Sequence, residues 1–247
     1  MKAKKSRFPW RYILTVIAFG LGIAAVWVSI VQRPMSEATA ALGSDARVSV
    51  ETEPWLLFRP AGQDPTVGLV LYPGARTDQR SYAPVARAIA AEGYLVAIVP
   101  MPLNLAILGA DRAESVIEAF PAIQSWAVGG HSLGGTMAAQ FARKHPNLVQ
   151  GLVLWASYPA NADDLSTATL KVLSISGTRD PLTTADNIEA SRPRLPADTH
   201  FVAIEGGNHA QFGWYGGQYG DGVATITREA QQEQVVAATV ELLQGLR

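Results

Sequence analysis

The hexapeptide Gly130-His131-Ser132-Leu133-Gly134-Gly135 holds the residues best suited to chemistry. It contains G-x-S-x-G, with the apolar run 126–128 before it and a helix-like stretch ending near Lys144-His145-Pro146 after it. A serine on a sharp strand-to-helix turn exposes its hydroxyl. Glycines two residues to either side let the backbone pass where a Cβ would collide. The helix that follows starts at the serine, so unpaired N–H groups and the positive end of its dipole face any developing oxyanion. Gly134, Gly135, Ala138 and Ala139 are small enough for that helix to lie close to a sheet.

A serine hydroxyl is a weak nucleophile and needs a base, which in turn needs an orienting acid. For this turn the chain order is serine, acid, histidine. Three histidines lie beyond Ser132: His145, His200 and His209. His145 sits at a helix C-terminus and His200 opens a strand. His209 follows the last strand in Gly206-Gly207-Asn208-His209, from where it reaches the carboxyl edge of a sheet, and it is the expected base. His131 reads as a packed neighbour. The expected acid is Asp180, in Gly177-Thr178-Arg179-Asp180-Pro181, with Asp163 or Asp164 as the alternative. The oxyanion should meet the backbone N–H of Leu133 and a second N–H from Tyr72-Pro73-Gly74-Ala75-Arg76, where Ala75 is the choice and Arg76 the next.

The elements that must position these groups alternate. Stretches 47–52 and 55–58 read as an opening hairpin. Strands follow at 67–72, 94–99, 126–128, 152–155, 172–176 and 201–204, with helices at 81–91, 110–120, after Ser132, and at 229–244. Such alternation predicts an α/β fold: a mostly parallel central sheet with helices on both faces. Only residues 156–169 separate two of the strands, room for a loop and not for a separate lid domain. The loop 206–222 carries seven glycines plus Phe212, Trp214, Tyr215 and Tyr219, an aromatic wall on a pliable backbone.

Composition narrows the classes further. The 247 residues are 48% hydrophobic and 17% charged, which excludes a disordered chain. There is no cysteine, hence no disulfide, thiolate zinc site or cysteine nucleophile. No metal or cofactor motif appears in a fitting context, so neither a metal nor an organic cofactor is expected. Residues 1–34 hold Lys2, Lys4, Lys5, Arg7, Arg11 and Arg33 and no acid, leaving 14 basic and 21 acidic side chains for 35–247. An acidic body is a poor partner for a phosphate backbone, so no nucleic-acid binding is expected. Residues 13–31 are uncharged and, as a helix, span about 28 Å, close to the thickness of the hydrocarbon core. With five basic residues before it, this run predicts a transmembrane anchor, a cytoplasmic amino terminus and an extracytoplasmic body. The competing reading is a cleaved signal peptide with Ala38-Thr39-Ala40 as its site, giving a secreted protein. The expected organisation is therefore a basic tail and anchor over 1–34, a linker over 35–46 and a catalytic domain over 47–247.

Pro73-Gly74 after a strand, Gly-His-Ser-Leu-Gly-Gly, Gly-Thr-Arg-Asp and Gly-Gly-Asn-His together resemble the α/β-hydrolase superfamily. The string 206–216, Gly-Gly-Asn-His-Ala-Gln-Phe-Gly-Trp-Tyr-Gly, is similar to the compact alpha/beta hydrolase fold-5 family, akin to dienelactone hydrolases. The similarity covers about residues 50–245. It implies Ser132 as nucleophile, Asp180 as acid and His209 as base. Tyr-Pro-Gly stands where the superfamily often has His-Gly. The expected activity is a carboxylesterase-like serine hydrolase acting on small to medium esters through an acyl-enzyme. The alternatives are an amidase, thioesterase or lactonase with the same triad, and a non-catalytic hydrolase-like domain that binds a ligand.

Overall fold

The computed structural model describes residues 10–247, the side chains of 27–29 excepted. Eight strands form one sheet: β1 (Val48–Glu51), β2 (Leu56–Pro60), β3 (Val67–Tyr72), β4 (Leu95–Ile98), β5 (Ser125–His131), β6 (Gly151–Trp155), β7 (Lys171–Gly177) and β8 (His200–Ile204). Their order is β1-β2-β4-β3-β5-β6-β7-β8. β1 and β2 pair antiparallel, as do β2 and β4; every other pair is parallel. The winding reverses between β3 and β5, and a sheet of this kind opens its ligand crevice at the carboxyl ends of the strands flanking that point. The turn after β3 and the Ser132 turn after β5 both lie there.

All six residues of β3 are buried, as a strand covered on both faces requires. Leu69 and Leu71 enter one core with Val96 and Ile98, beneath α3 (Ala83–Ala91) and α7 (Arg228–Gln244). Val70 and Tyr72 enter the other with Ala97, Phe141 and Leu154, beneath α4 (Ala113–Ala119) and α5 (Leu133–Lys144). The period-two alternation of side chains thus feeds two cores from one run of apolar residues. β5 is longer than its apolar stretch suggests, because Gly129 and Gly130 continue the ladder opposite Val153 and Leu154. A Cβ on Gly129 would lie 2.7 Å from Val153 Cβ, so the glycines that read as a turn serve close strand packing. Residues 156–170 contain no helix. A short helix with a capping box at Thr184, α6 (Ala185–Ser191), was not foreseen, being brief and mostly polar.

The amino-terminal expectations need correction. A helix, α1 (Trp10–Ser29), is present. Among the described residues, however, no helix is long and apolar enough to cross a membrane. α1 stops at Ser29, so the uncharged run leaves the helix before it ends, and Gln32 bridges to Thr77 of the body. The uncharged helical part, 13–29, rises about 26 Å, less than the roughly 30 Å of a hydrocarbon core. The transmembrane helix, the membrane as partner and the single-pass localisation that rested on it fall together. Lys2, Lys4, Lys5 and Arg7 lie outside the described residues. The stretch 35–46, expected as a linker, carries α2 (Ser36–Ala40) with Ala38 fully buried. Arg87 of α3 holds it through the carbonyls of Ala41 and Gly43 and a 2.5 Å ion pair with Asp45. The alternative cleavage site, 38–40, thus lies inside a docked helix.

Candidate active site

Ser132 joins β5 to α5 with φ +53° and ψ −124°, a backbone state that a side-chain-bearing residue occupies only when its surroundings hold it there. Its N–H donates to Trp155 O at 2.9 Å, extending the β5–β6 ladder past His131. Its carbonyl accepts from Ser157 Oγ at 2.7 Å and from Thr136 N–H at 3.2 Å. The glycines explain themselves by distance. A Cβ on Gly134 would lie 2.1 Å from Tyr72 O, and one on Gly130 2.5 Å from the same atom. The turn after β3 is therefore pressed directly onto the start of α5. Leu133 N–H, the first of the helix, donates to no group among the described residues.

His209 is buried at 1% exposure, and its Nδ1–H donates to Asp180 Oδ2 at 2.7 Å. A carboxylate accepts, so the proton of this bond is the one on Nδ1, and Nε2 is the ring nitrogen not engaged by Asp180. Asp180 is itself fixed, its Oδ1 accepting from Leu182 N–H at 2.8 Å and Thr183 N–H at 2.9 Å. The loops bearing the two residues touch: a Cβ on Gly177 would lie 2.5 Å from Gly207 O. The His209 ring lies 4.5 Å, centroid to centroid, from that of His131, the residue before Ser132.

The other sequence candidates are engaged elsewhere. Asp163 is buried and receives Arg143 Nε of α5 at 2.7 Å, while Asp164 is exposed and accepts from Ser166 N–H. His145 stacks on Phe141 and His200 is exposed at the start of β8. In the turn after β3, Arg76 N–H is taken by Asn104 O at 2.7 Å, which removes it as an oxyanion donor. Ala75 N–H donates to no group among the described residues. Among those residues, no three His, Asp or Glu side chains lie together as metal ligands would.

Several supporting residues escaped the sequence reading. Asp221 accepts from His209 N–H at 3.1 Å and Ala210 N–H at 2.8 Å, pinning the backbone of the histidine. Gln231 of α7 embraces Asn208, accepting from its N–H at 3.0 Å and donating to its carbonyl at 2.8 Å. Arg228 donates to the carbonyls of Ala210, Gly213 and Gly216. Burial lowers its guanidinium from the usual value. Tyr82 Oη accepts from Gly74 N–H at 3.0 Å and meets His131 Nδ1 at 2.9 Å. Burial drives the Tyr82 hydroxyl up, so it stays protonated and donates to the imidazole. Burial first, then the neighbouring His209, holds the His131 imidazole well below its usual range and therefore neutral. None of these partners has a spacing that a motif would flag.

No curated protein matches this chain. Among solved structures, it is similar to the crystal structure of a predicted CIB-like hydrolase from Thermoplasma acidophilum. The TM-score is 0.56 at 17% identity, over 83% of this chain and 100% of that one. That likeness speaks for the fold. Residues 68–233, from β3 into α7, match the model of the alpha/beta hydrolase family. With a mostly parallel sheet, a serine turn at its switch point and that match over most of its length, this chain belongs to the alpha/beta hydrolase family.

Proposed function

We propose that the protein is a serine hydrolase of the carboxylesterase kind. Ser132 attacks the acyl carbon, His209 Nε2 takes its proton and returns it to the leaving alcohol, and Asp180 holds the imidazole in the required tautomer. Water then attacks the acyl-enzyme by the same proton path. The N–H groups of Leu133 and Ala75 receive the oxyanion. The observation that carries this reading is the buried 2.7 Å hydrogen bond from His209 to Asp180, one ring away from the residue preceding Ser132. The helix-free stretch 156–170 offers no lid, which favours short acyl groups in an open site. Each further buried methylene would contribute about 0.8 kcal/mol, and a long chain would need a tunnel to bury it.

A fluorophosphonate should label the full chain at one site, and Ser132→Ala should abolish both labelling and turnover of p-nitrophenyl acetate. In the parent, kcat/KM should peak between acetate and hexanoate. Labelling that persists in the alanine variant would refute the nucleophile, and a profile rising steadily to palmitate would refute the open site.

A further inference from the structure

The turn after β3 does not hold its shape alone. Arg76 sits at φ +57°, a left-handed conformation for a side-chain-bearing residue. Its N–H is taken by Asn104 O at 2.7 Å, a carbonyl presented by the loop after β4. Its carbonyl accepts from Gln32 N–H at 2.7 Å, and two residues on, Asp78 N–H donates to Gln32 O at 3.0 Å. Gln32 and Thr77 thereby form a parallel bridge, with Thr77 Oγ1 3.4 Å from Gln32 Oε1. Three residues later Met35 N–H donates to Trp214 O at 2.8 Å, in the loop that carries His209. The segment from Gln32 to Met35 thus ties the turn with the free Ala75 N–H to the loop of the proposed base. It lies outside the residues that match the family, which begin at Gly68.

We infer that Gln32–Met35 is a positioning segment of the active site, which fixes the Gly74–Asp78 turn so that Ala75 N–H points at the oxyanion. The inference rests on the serine hydrolase reading given above. The Ala75–Arg76 peptide shares the Ala75 Cα with the Gly74–Ala75 amide that carries the donor N–H, so a backbone shift that relieved the left-handed φ at Arg76 would displace Ala75 and its N–H with it. The bonds to Asn104 and Gln32 oppose that rotation from both sides. Such a donor acts only when it is already aimed, because its contribution comes from dipoles that need no reorganisation during the reaction. A misplacement of about 1 Å is enough to cost up to 100-fold in rate.

The test removes each backbone donor in the full-length chain. Gln32→Pro deletes the bond to Arg76 O and is compared with Gln32→Ala, which keeps it. Asp78→Pro deletes the bond to Gln32 O at a position whose φ of −61° already suits proline, and is compared with Asp78→Ala, so that loss of the side chain cancels. Each proline variant should show kcat for p-nitrophenyl acetate about tenfold below its alanine counterpart, with KM unchanged. Affinity for a trifluoromethyl ketone, whose adduct with serine carries an oxyanion, should fall by the same factor. A segment with only a packing role would leave both ratios at one in the folded variants, and that result overturns the inference while the parent's activity stands. Should Gln32→Pro fail to fold, the Asp78 pair decides. A parent whose turnover survives Ser132→Ala would instead sink the hydrolase reading and this inference with it.

Discussion

Ser132 and His209 are held in different ways. The serine's strained backbone is shaped by small residues close by in the chain, Gly130 and Gly134, which pass under the β3 turn, while Thr136, Trp155 and Ser157 bond its N–H and carbonyl. The histidine is held by groups spread from Asp180 to Gln231: Asp180 on its ring, Asp221 on its N–H, Gln231 on the residue before it and Arg228 on the carbonyls after it. The first arrangement is a conformation, specified by where a side chain is absent. The second is a network, specified by which distant polar groups meet. A conformation should break all at once, through sterics. A network should lose function by degrees, one partner at a time.

The strongest single cut in the network is at the acid. Asp180→Asn keeps Oδ1 for Leu182 and Thr183 but lets the imidazole take the wrong tautomer, so kcat should fall about 10⁴-fold with little change in melting temperature. Asp163→Asn should do the reverse, since it loosens only the Arg143 pair on α5. If Asp163→Asn lost the rate and Asp180→Asn did not, the network would be centred on the wrong carboxylate.

The elbow should respond to sterics. Gly134→Ala places a Cβ against two backbone carbonyls, Tyr72 O at 2.1 Å and Pro73 O at 2.5 Å, neither of which is a flexible side-chain end. Overpacking of this kind costs about 1–3 kcal/mol or more. Urea unfolding should show that loss, together with loss of activity as the β3 turn is pushed from Ser132. A variant as stable and active as the parent would show that the contact is slack.

What could be read in advance follows the same division. Local rules gave the turn at Ser132, because a G-x-S-x-G between strand and helix states its own geometry. They placed His209 and Asp180 by chain order and strand ends. They passed over Asp221, which the sequence shows only as an Asp-Gly in a glycine-rich loop, although its carboxylate caps the backbone of the proposed base. They read 229–244 only as a closing helix, yet its buried face carries Gln231, Gln232 and Thr239. Hydropathy marked 13–31 as an anchor but carries no information on where the helix stops or that Gln32 pairs with Thr77. Asp221→Ala tests whether such unflagged partners matter. It leaves the N–H groups of the buried His209 and Ala210 without their cap, so the backbone under the imidazole loosens. The expected loss is about tenfold in kcat, far less than for Asp180→Asn, because the imidazole keeps its carboxylate. Equal losses would mean that the backbone cap and the acid act as one unit.

The smallest effect concerns His131, the residue common to both regions, adjacent in chain to Ser132 and packed against His209. Its ring is enclosed by Tyr82, His209, Phe212 and Tyr215, with Nδ1 accepting from Tyr82. Burial keeps it neutral well below the range in which an exposed imidazole titrates. In the unfolded chain the same imidazole takes a proton near pH 6.5. Between that value and the lower folded one, the unfolded state binds more protons than the native state, so stability must fall as pH falls. At about pH 7.5 and above both states hold the ring neutral and the group adds almost no slope. His131→Gln removes the titration while leaving the other ionisable groups common to both proteins. Urea unfolding at pH 7.5, 6.5 and 5.5 should therefore show the parent losing stability more steeply than the variant, the extra slope setting in near pH 7 and rising to about 1.4 kcal/mol per pH unit below 6.5. Parallel slopes would mean that the native ring accepts a proton, by opening toward water or by losing the Tyr82 bond, and that the junction between elbow and network is looser than its burial implies.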